Sequence, residues 1–352
     1  MSQSNFIADL PGSDQPSPPD VFFNRRDFVK TAAVAGLIAA PQFGMTSPQD
    51  KGKPRPPGSP RTPLDLPLQW PEGFSFTRED SYKLPENIDH ALTPRIAAAT
   101  HNNYYEFLMG RGGPVWKFTE KFKVTPWTIE VSGECNQPQT FDLDDLFAFA
   151  HEERLYHFRC VERWAMNIPW TGFPLIRLLE KVQPNGHAKF VRFLTAHRPE
   201  QMPSLQRDAG RGFQWPYFEG LRLDEAMNEL TLLATGVYGE PLLKQHGAPV
   251  RLVVPWKYGY KNPKSIVKIE LLREQPKTFW GSGRYKHEYG FISNVNPNIP
   301  HPRWSQARSF WLDTREKFNT PIFNGYGKYV AALYPDEPRT PRRPLGPREI
   351  AR

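Results

Sequence analysis

Cys160, in the run Arg159-Cys160-Val161-Glu162-Arg163-Trp164, is one of only two cysteines in the chain. A thiol reacts or binds metal as its thiolate, and a cation such as Arg159 or Arg163 would favour that form. Soft sulfur also suits a transition metal rather than calcium or magnesium. On the residue alone three readings stay open: a working thiolate, an inert core thiol, or a disulfide to Cys135 in the turn-like Glu134-Cys135-Asn136-Gln137-Pro138. Two cysteines exclude Cys-x-x-Cys pairs, a Cys-rich iron–sulfur site and a dense disulfide scaffold. The histidines form no His-Glu-x-x-His and no His-x-His pair, so a zinc hydrolase lacks support. His157 precedes Cys160 by three residues, but nucleophile and base normally meet through the fold rather than by spacing. Gly110-Arg111-Gly112-Gly113 lacks the lysine and following helix of a phosphate loop and reads as a turn. Arg251, Lys257, Lys261 and Lys264 surround a turn with Gly259 and Pro263, which suits a phosphate cradle or a solvated basic loop equally.

These groups must be positioned by short elements, because 38 prolines and 25 glycines in 352 residues disfavour long helices. Alternation in Trp127–Gly133 and Phe190–Ala196 predicts strands, and Tyr156–Cys160 is a β-rich run that places the cysteine at a strand end or loop. Further strands are expected at 250–255 and 265–271, joined by Trp256–Lys264. Phe141–Leu146 reads as a strand entering a capped helix. Leu175–Lys181 is a second helix, and Leu223–Met227 begins a third with Asp224 as its cap. Leu64–Arg78 looks irregular, and His101–Phe107 reads as a polar-aromatic loop or turn. Short strands mixed with a few helices predict an α+β domain without internal repeats.

The net charge is +8. Residues 1–60 contribute six Lys/Arg against five acids, and 335–352 five Arg against three acids. The excess is thus dispersed through the middle of the chain rather than gathered in the stripe that a nucleic-acid binder would show. Near the N-terminus, Arg25-Arg26-Asp27-Phe28-Val29-Lys30 precedes the mildly apolar Thr31–Ala40, the pattern of a twin-arginine (Tat) export signal. That run is too short to span a bilayer. The expected organisation is a Tat signal region at 1–45, a Pro/Gly-rich linker at 46–63, one large domain at 64–334 and a Pro/Arg-rich tail at 335–352.

The stretch Arg159–Leu175, with its Arg-Cys-Val-Glu-x-Trp-x-Met-x-x-Pro-Trp-x-Gly-Phe-Pro-Leu pattern, resembles the metal-ligand loop of the periplasmic protein-methionine-sulfoxide reductases. These are molybdoenzymes of the sulfite-oxidase superfamily. Asn102–Phe107, Gly247–Gly259, His301–Ala307 and Phe323-Asn324-Gly325-Tyr326 are similar too, so the resemblance runs from about residue 64 to 334. It implies a sulfite-oxidase-type α+β fold and a molybdenum-molybdopterin cofactor, one molybdopterin per metal, with Cys160 as metal ligand. It carries the cofactor contacts onto Asn102, Tyr105, Glu106, Thr195, His246, Arg251, Asn262, Pro263 and Lys264. At His246 the family often has Asn; an imidazole can donate one hydrogen bond in its place, with an added pH dependence.

The implied reaction is oxygen-atom transfer that returns methionine sulfoxide in periplasmic proteins to methionine, a repair of a reversible lesion. Electrons would come from a separate membrane-bound haem b subunit fed by quinols, since the chain has no haem-attachment motif. The other implied partners are the Tat export machinery and oxidised periplasmic proteins, with no nucleic acid. Trp164, Trp170 and Trp256 are candidate walls of an open site, and Tyr238 a candidate to reach the metal pocket. The competing readings are a sulfite dehydrogenase or a small-molecule S- or N-oxide reductase on the same fold, and a non-catalytic binding module.

Overall fold

A computed structural model describes residues 62–82, 84–207 and 212–340. The twin-arginine segment, most of the linker and residues 341–352 lie outside the described residues.

The longest strand, Trp164–Pro174, is buried along nearly its whole length. It pairs antiparallel with His151–Arg159 on one side and with Leu232–Val237 on the other. Burial on both faces removes the alternation by which a strand is recognised, and Pro169 and Pro174 argue against a central strand. For these reasons no alternation marks it in the sequence. Gly172 is required here: a Cβ at this position would collide with the Leu233 carbonyl of the neighbouring strand. The sheet grows to eight strands through Phe76–Arg78, Glu240–Pro241, Arg251–Val253, Arg308–Trp311 and Lys317–Asn319.

A second sheet of five strands runs in the order Gln139–Asp142, Thr128–Gly133, Ile266–Leu272, Phe190–Thr195, Phe218–Arg222. Here the expected strands are found, because one face packs on the core and Thr128–Gly133 and Phe190–Thr195 alternate. Helix Leu143–Phe147 starts at Asp142, which accepts from the Asp145 N–H at 2.9 Å while Asp145 accepts from the Asp142 N–H at 3.0 Å. That reciprocal pair satisfies two orphan donors and is the cap expected of this sequence. Helix Leu175–Val182 turns Leu175, Leu178, Leu179 and Val182 inward, one stripe at helical spacing. The α+β architecture is as expected, and no described helix is long and apolar enough to cross a membrane.

Three local expectations are corrected. Asp224 does not cap the helix Leu223–Ala226; the cap position is Arg222, whose N–H donates to Glu225 Oε2 at 2.9 Å, while Asp224 is drawn to the Arg222 guanidinium. Gly110–Gly113 is not a turn but part of strand Leu108–Gly113, and His101–Phe107 is not all loop. Asn102–Tyr104 pairs with that strand as a small ribbon, which propensity could not show in a polar segment.

Candidate cofactor site

Cys160 follows the strand His151–Arg159 and immediately precedes the three-residue loop Val161–Arg163 into Trp164–Pro174. Its N–H donates to the Trp164 carbonyl at 3.0 Å, and its own carbonyl accepts from the Arg163 N–H at 2.9 Å. Arg163 closes the loop with φ 77°, the left-handed residue that three-residue hairpins use. The sulfur is buried, at 6% exposure. The Glu162 N–H lies 3.4 Å from Sγ and the Asn103 side-chain amide 3.5 Å from it. Both cysteines are free, and Cys135 pairs in an isolated bridge with Pro184, so no disulfide joins them.

The expected activation by Arg159 is outweighed. Its guanidinium is fully buried and bound to Ser309 Oγ at 2.7 Å, Gln306 Oε1 at 2.7 Å and the Cys160 carbonyl. It braces the backbone of the cysteine. Burial pushes the Cys160 thiol up to about 12, with the Glu162 charge adding to it and Arg159 only partly opposing. The bare thiol is therefore protonated at neutral pH, and a coordinated cation is what would deprotonate it. Among the described residues no three His, Cys, Asp or Glu side chains gather to hold a metal. A metal at Cys160 must then draw its remaining ligands from a cofactor or solvent.

The basic loop divides into two pairs. Lys257 Nζ is fully buried against Glu225 Oε1 at 2.8 Å and Asn294 Oδ1 at 2.9 Å, and Lys261 Nζ against Glu219 Oε2 at 2.7 Å. Those ion pairs neutralise both lysines and pin the loop in the core. Among the described residues Arg251 and Lys264 make no such direct pair, although the Glu106 carboxyl lies near enough to Lys264 to raise its pKa. Buried Arg251 donates only to carbonyls, to His246 O at 2.9 Å, Asn262 O at 3.3 Å and Leu252 O at 3.2 Å. Half-buried Lys264 donates to the Asn103 carbonyl at 2.8 Å. Burial lowers the pKa of both, and Arg251 also lowers that of Lys264. Two adjacent buried cations without a direct ion pair are a place where an anionic group could be held.

The remaining expected contacts surround this pair. Asn102 donates to the Ala98 carbonyl at 3.0 Å and leaves its buried Oδ1 without a partner. His246 Nε2 lies 3.1 Å from the same carbonyl, and its buried Nδ1 is likewise unpartnered. Gly247, at φ 101°, lets Lys264 come close, since a Cβ there would meet Lys264 Cβ at 2.6 Å. Thr195 Oγ1 donates to Glu106 Oε1 at 3.3 Å, and burial pushes the Glu106 carboxyl up. Tyr105 faces Trp280, ring centroids 5.1 Å apart. Asn262 spends its side chain inside the loop, on Val254 N and Tyr258 O, and the Pro263 carbonyl accepts from Leu252 N.

Asn103 and Glu162 join the two halves, and neither was singled out from sequence. The Asn103 amide reaches Cys160 Sγ and, at 3.0 Å, Glu162 Oε2, while its carbonyl takes Lys264. Trp164 Nε1 also donates to Glu162 Oε2 at 3.0 Å. The pattern Asn-Asn and Cys-x-Glu was the available signal, but only the ribbon bearing Asn103 brings the two together. Among the candidate walls, Trp164 lies in this network and Trp170 stacks under Arg251 at 4.9 Å. Trp256 is instead core, fully buried with Nε1 on Tyr334 Oη at 2.8 Å. Tyr238 turns away too: its hydroxyl donates to the Thr93 carbonyl at 2.6 Å and it lines a separate groove with Phe76 and Pro169. His157 makes no dyad with Cys160, since its Nδ1 meets Asn167 Oδ1 at 2.9 Å.

Residues 116–280 match the family model "Oxidoreductase molybdopterin binding domain". Among solved structures, the chain is similar to the sulfane dehydrogenase SoxCD from Paracoccus pantotrophus, with 15% identity and a TM-score of 0.39. That match covers 63% of this chain and 62% of the other, so the chain spans less than two thirds of that structure's length. Cys160, Thr195, Arg251 and Lys264 all fall inside the matched domain, whereas Asn102–Glu106 precede it. Residues 116–280 thus match an oxidoreductase molybdopterin-binding domain, and the cofactor that this domain implies is molybdenum-molybdopterin.

Proposed function

We propose that this molybdenum-dependent oxidoreductase reduces methionine sulfoxide in exported proteins to methionine. In this reading Cys160 ligates the metal and Arg251 and Lys264 hold the cofactor phosphate. Asn102, Tyr105, Glu106, Thr195, His246, Asn262 and Pro263 line the pterin. The residues fit such a group: a lone soft donor at one end, two buried cations without a direct ion pair at the other, and unpartnered buried polar atoms on Asn102 and His246 between. When bound, the cofactor supplies two-electron oxygen-atom-transfer chemistry.

The single observation that carries the substrate choice is the charge beside Cys160. The carboxylate fixed beside the sulfur is that of Glu162, while Arg159 is committed to Ser309, Gln306 and the Cys160 carbonyl, and Lys264, which also acts on the thiol, is held on the Asn103 carbonyl. A carboxylate disfavours a sulfur oxyanion and tolerates a neutral sulfoxide. Tyr105, Trp280 and Tyr289 form a continuous aromatic wall, with centroid distances of 5.1 and 5.2 Å, and Trp304 Nε1 closes on the Val161 carbonyl at 3.0 Å. Such rings accept the thioether of the product. Reduction of a sulfoxide takes up two electrons and two protons and releases water. The twin-arginine leader supports delivery to the periplasm by the Tat route, with a membrane haem protein as electron source.

Steady-state assays test the choice, with a reduced dye as electron donor for a sulfoxide-bearing protein and an oxidised dye as electron acceptor for sulfite. Turnover with a sulfoxide-bearing protein, and none or little with sulfite, is expected. Robust sulfite oxidation without sulfoxide reduction would establish the sulfite dehydrogenase alternative instead.

A further inference from the structure

The segment Phe323-Asn324-Gly325-Tyr326 holds three successive residues in the left-handed region, with φ 52° at Phe323, 56° at Asn324 and 91° at Gly325. Asparagine and glycine tolerate that region, but a phenylalanine there is an outlier. Strained backbone of this kind persists only where its surroundings over-determine it. Here the surroundings are two segments of the cofactor site. Asn324 is fully buried, and its Nδ2 donates to the His157 carbonyl and to the Pro255 carbonyl, each at 2.9 Å. Tyr326 Oη accepts from the His157 N–H at 2.8 Å. The buried Asn324 Oδ1 has no partner, so the amide is retained despite an unsatisfied acceptor.

His157 lies three residues before Cys160, and Pro255 opens the loop that ends in Lys264. The parallel register with Phe76–Arg78 stops at Glu153. At His157 the strand edge is closed by Asn324 and Tyr326 rather than by a strand. The loop lies directly on the strand end, since a Cβ at Gly259 would stand 3.2 Å from the Phe158 ring and 3.6 Å from the Arg159 carbonyl. A ligand that must reach the thiolate with one end and the cations with the other needs a fixed span between them.

We propose that Asn324 is a positioning residue that rivets the Cys160 strand to the Pro255–Lys264 loop and thereby sets the span of the cofactor cradle. The inference rests on the cofactor and is independent of the substrate. The test uses holoenzyme carrying Asn324→Asp, which keeps shape and left-handed tolerance but turns an acceptor towards two carbonyls. A second variant, Asn324→Gly, keeps the left-handed backbone and removes the amide. Asn185→Ala, which removes hydrogen bonds to Glu134 and His187 beside the other sheet, serves as the stability control.

The measurements are the rate of cofactor loss, the paramagnetic-resonance spectrum of the partly reduced enzyme, and Tm of the cofactor-free protein. Both Asn324 variants are expected to lose cofactor about tenfold faster, with an altered spectrum. Asn324→Gly should lose cofactor even though its Tm falls no further than that of Asn185→Ala, which should lower Tm and leave retention and spectrum alone. Parent-like retention and spectrum in Asn324→Gly would overturn the proposal, whether or not Asn324→Asp folds. Equal cofactor loss in Asn185→Ala would overturn it as well.

Discussion

The side-chain amide of Asn103 points at Cys160 Sγ from 3.5 Å, while the carbonyl of the same residue receives Lys264 Nζ at 2.8 Å. One residue thus touches both the thiol end and the cationic end of the site. It can do so because Asn102–Tyr104 is a strand of a two-stranded ribbon, whose rigid backbone fixes both contacts at once.

Cys160→Ser keeps the size of the side chain and removes the soft donor. Activity is expected to fall by more than about a hundredfold, the upper end of what even outer-shell partners of a metal cost. Metal content and turnover should be measured together. Full turnover in a metal-loaded serine variant would refute the ligand role.

Arg251→Met should act in opposite directions on the two forms of the protein. Without cofactor, an uncompensated buried cation is removed, and the variant is expected to be about 1–3 kcal/mol more stable in denaturant melts. Cofactor retention should collapse. A variant that loses stability and keeps its cofactor would mean that Arg251 serves packing alone.

Glu162→Gln preserves hydrogen-bonding size and deletes the charge beside the sulfur. KM for sulfite, an anion, is expected to drop about three- to tenfold, the scale of one partly screened charge. KM for a neutral sulfoxide should change far less. Equal shifts for both compounds would remove the electrostatic argument for a sulfoxide substrate.

Acid should destabilise the fold through buried neutral histidines. Burial pushes His101 and His246 down to about 4 and His157 to about 3. In the unfolded chain they protonate near the ordinary value of about 6.5. Between those values the unfolded state binds more protons, so this stability is complete above about pH 6.5 and declines as pH falls towards 4. In denaturant melts, His246→Asn should flatten the slope by up to about 1.4 kcal/mol per pH unit over that window. An unchanged slope would show that His246 is not held neutral.

Much of the chemistry was legible in the chain. Cys160 at a strand end, the basic loop around Gly259 and the capped helix after Asp142 are all local features, set by side-chain type, alternation or spacing within a few residues. The strand Trp164–Pro174 was hidden because burial on both faces erases alternation and its prolines point the other way. Trp256 as a wall and Tyr238 as a residue reaching the metal pocket are expectations from the resemblance, yet their partners Tyr334 and Thr93 draw them elsewhere.

The sequence alone determined which groups exist to hold a metal and a phosphate, and the mixed α+β class. Which of those groups remain free to do so was decided only in three dimensions. Lys257 and Lys261 are silenced by Glu225 and Glu219, 32 and 42 residues away along the chain, whereas Arg251 and Lys264 make no direct ion pair among the described residues, with Glu106 acting on Lys264 only from a distance. The physical reason is that a charge is spent or available according to what burial brings beside it, and burial is a property of the assembled sheets.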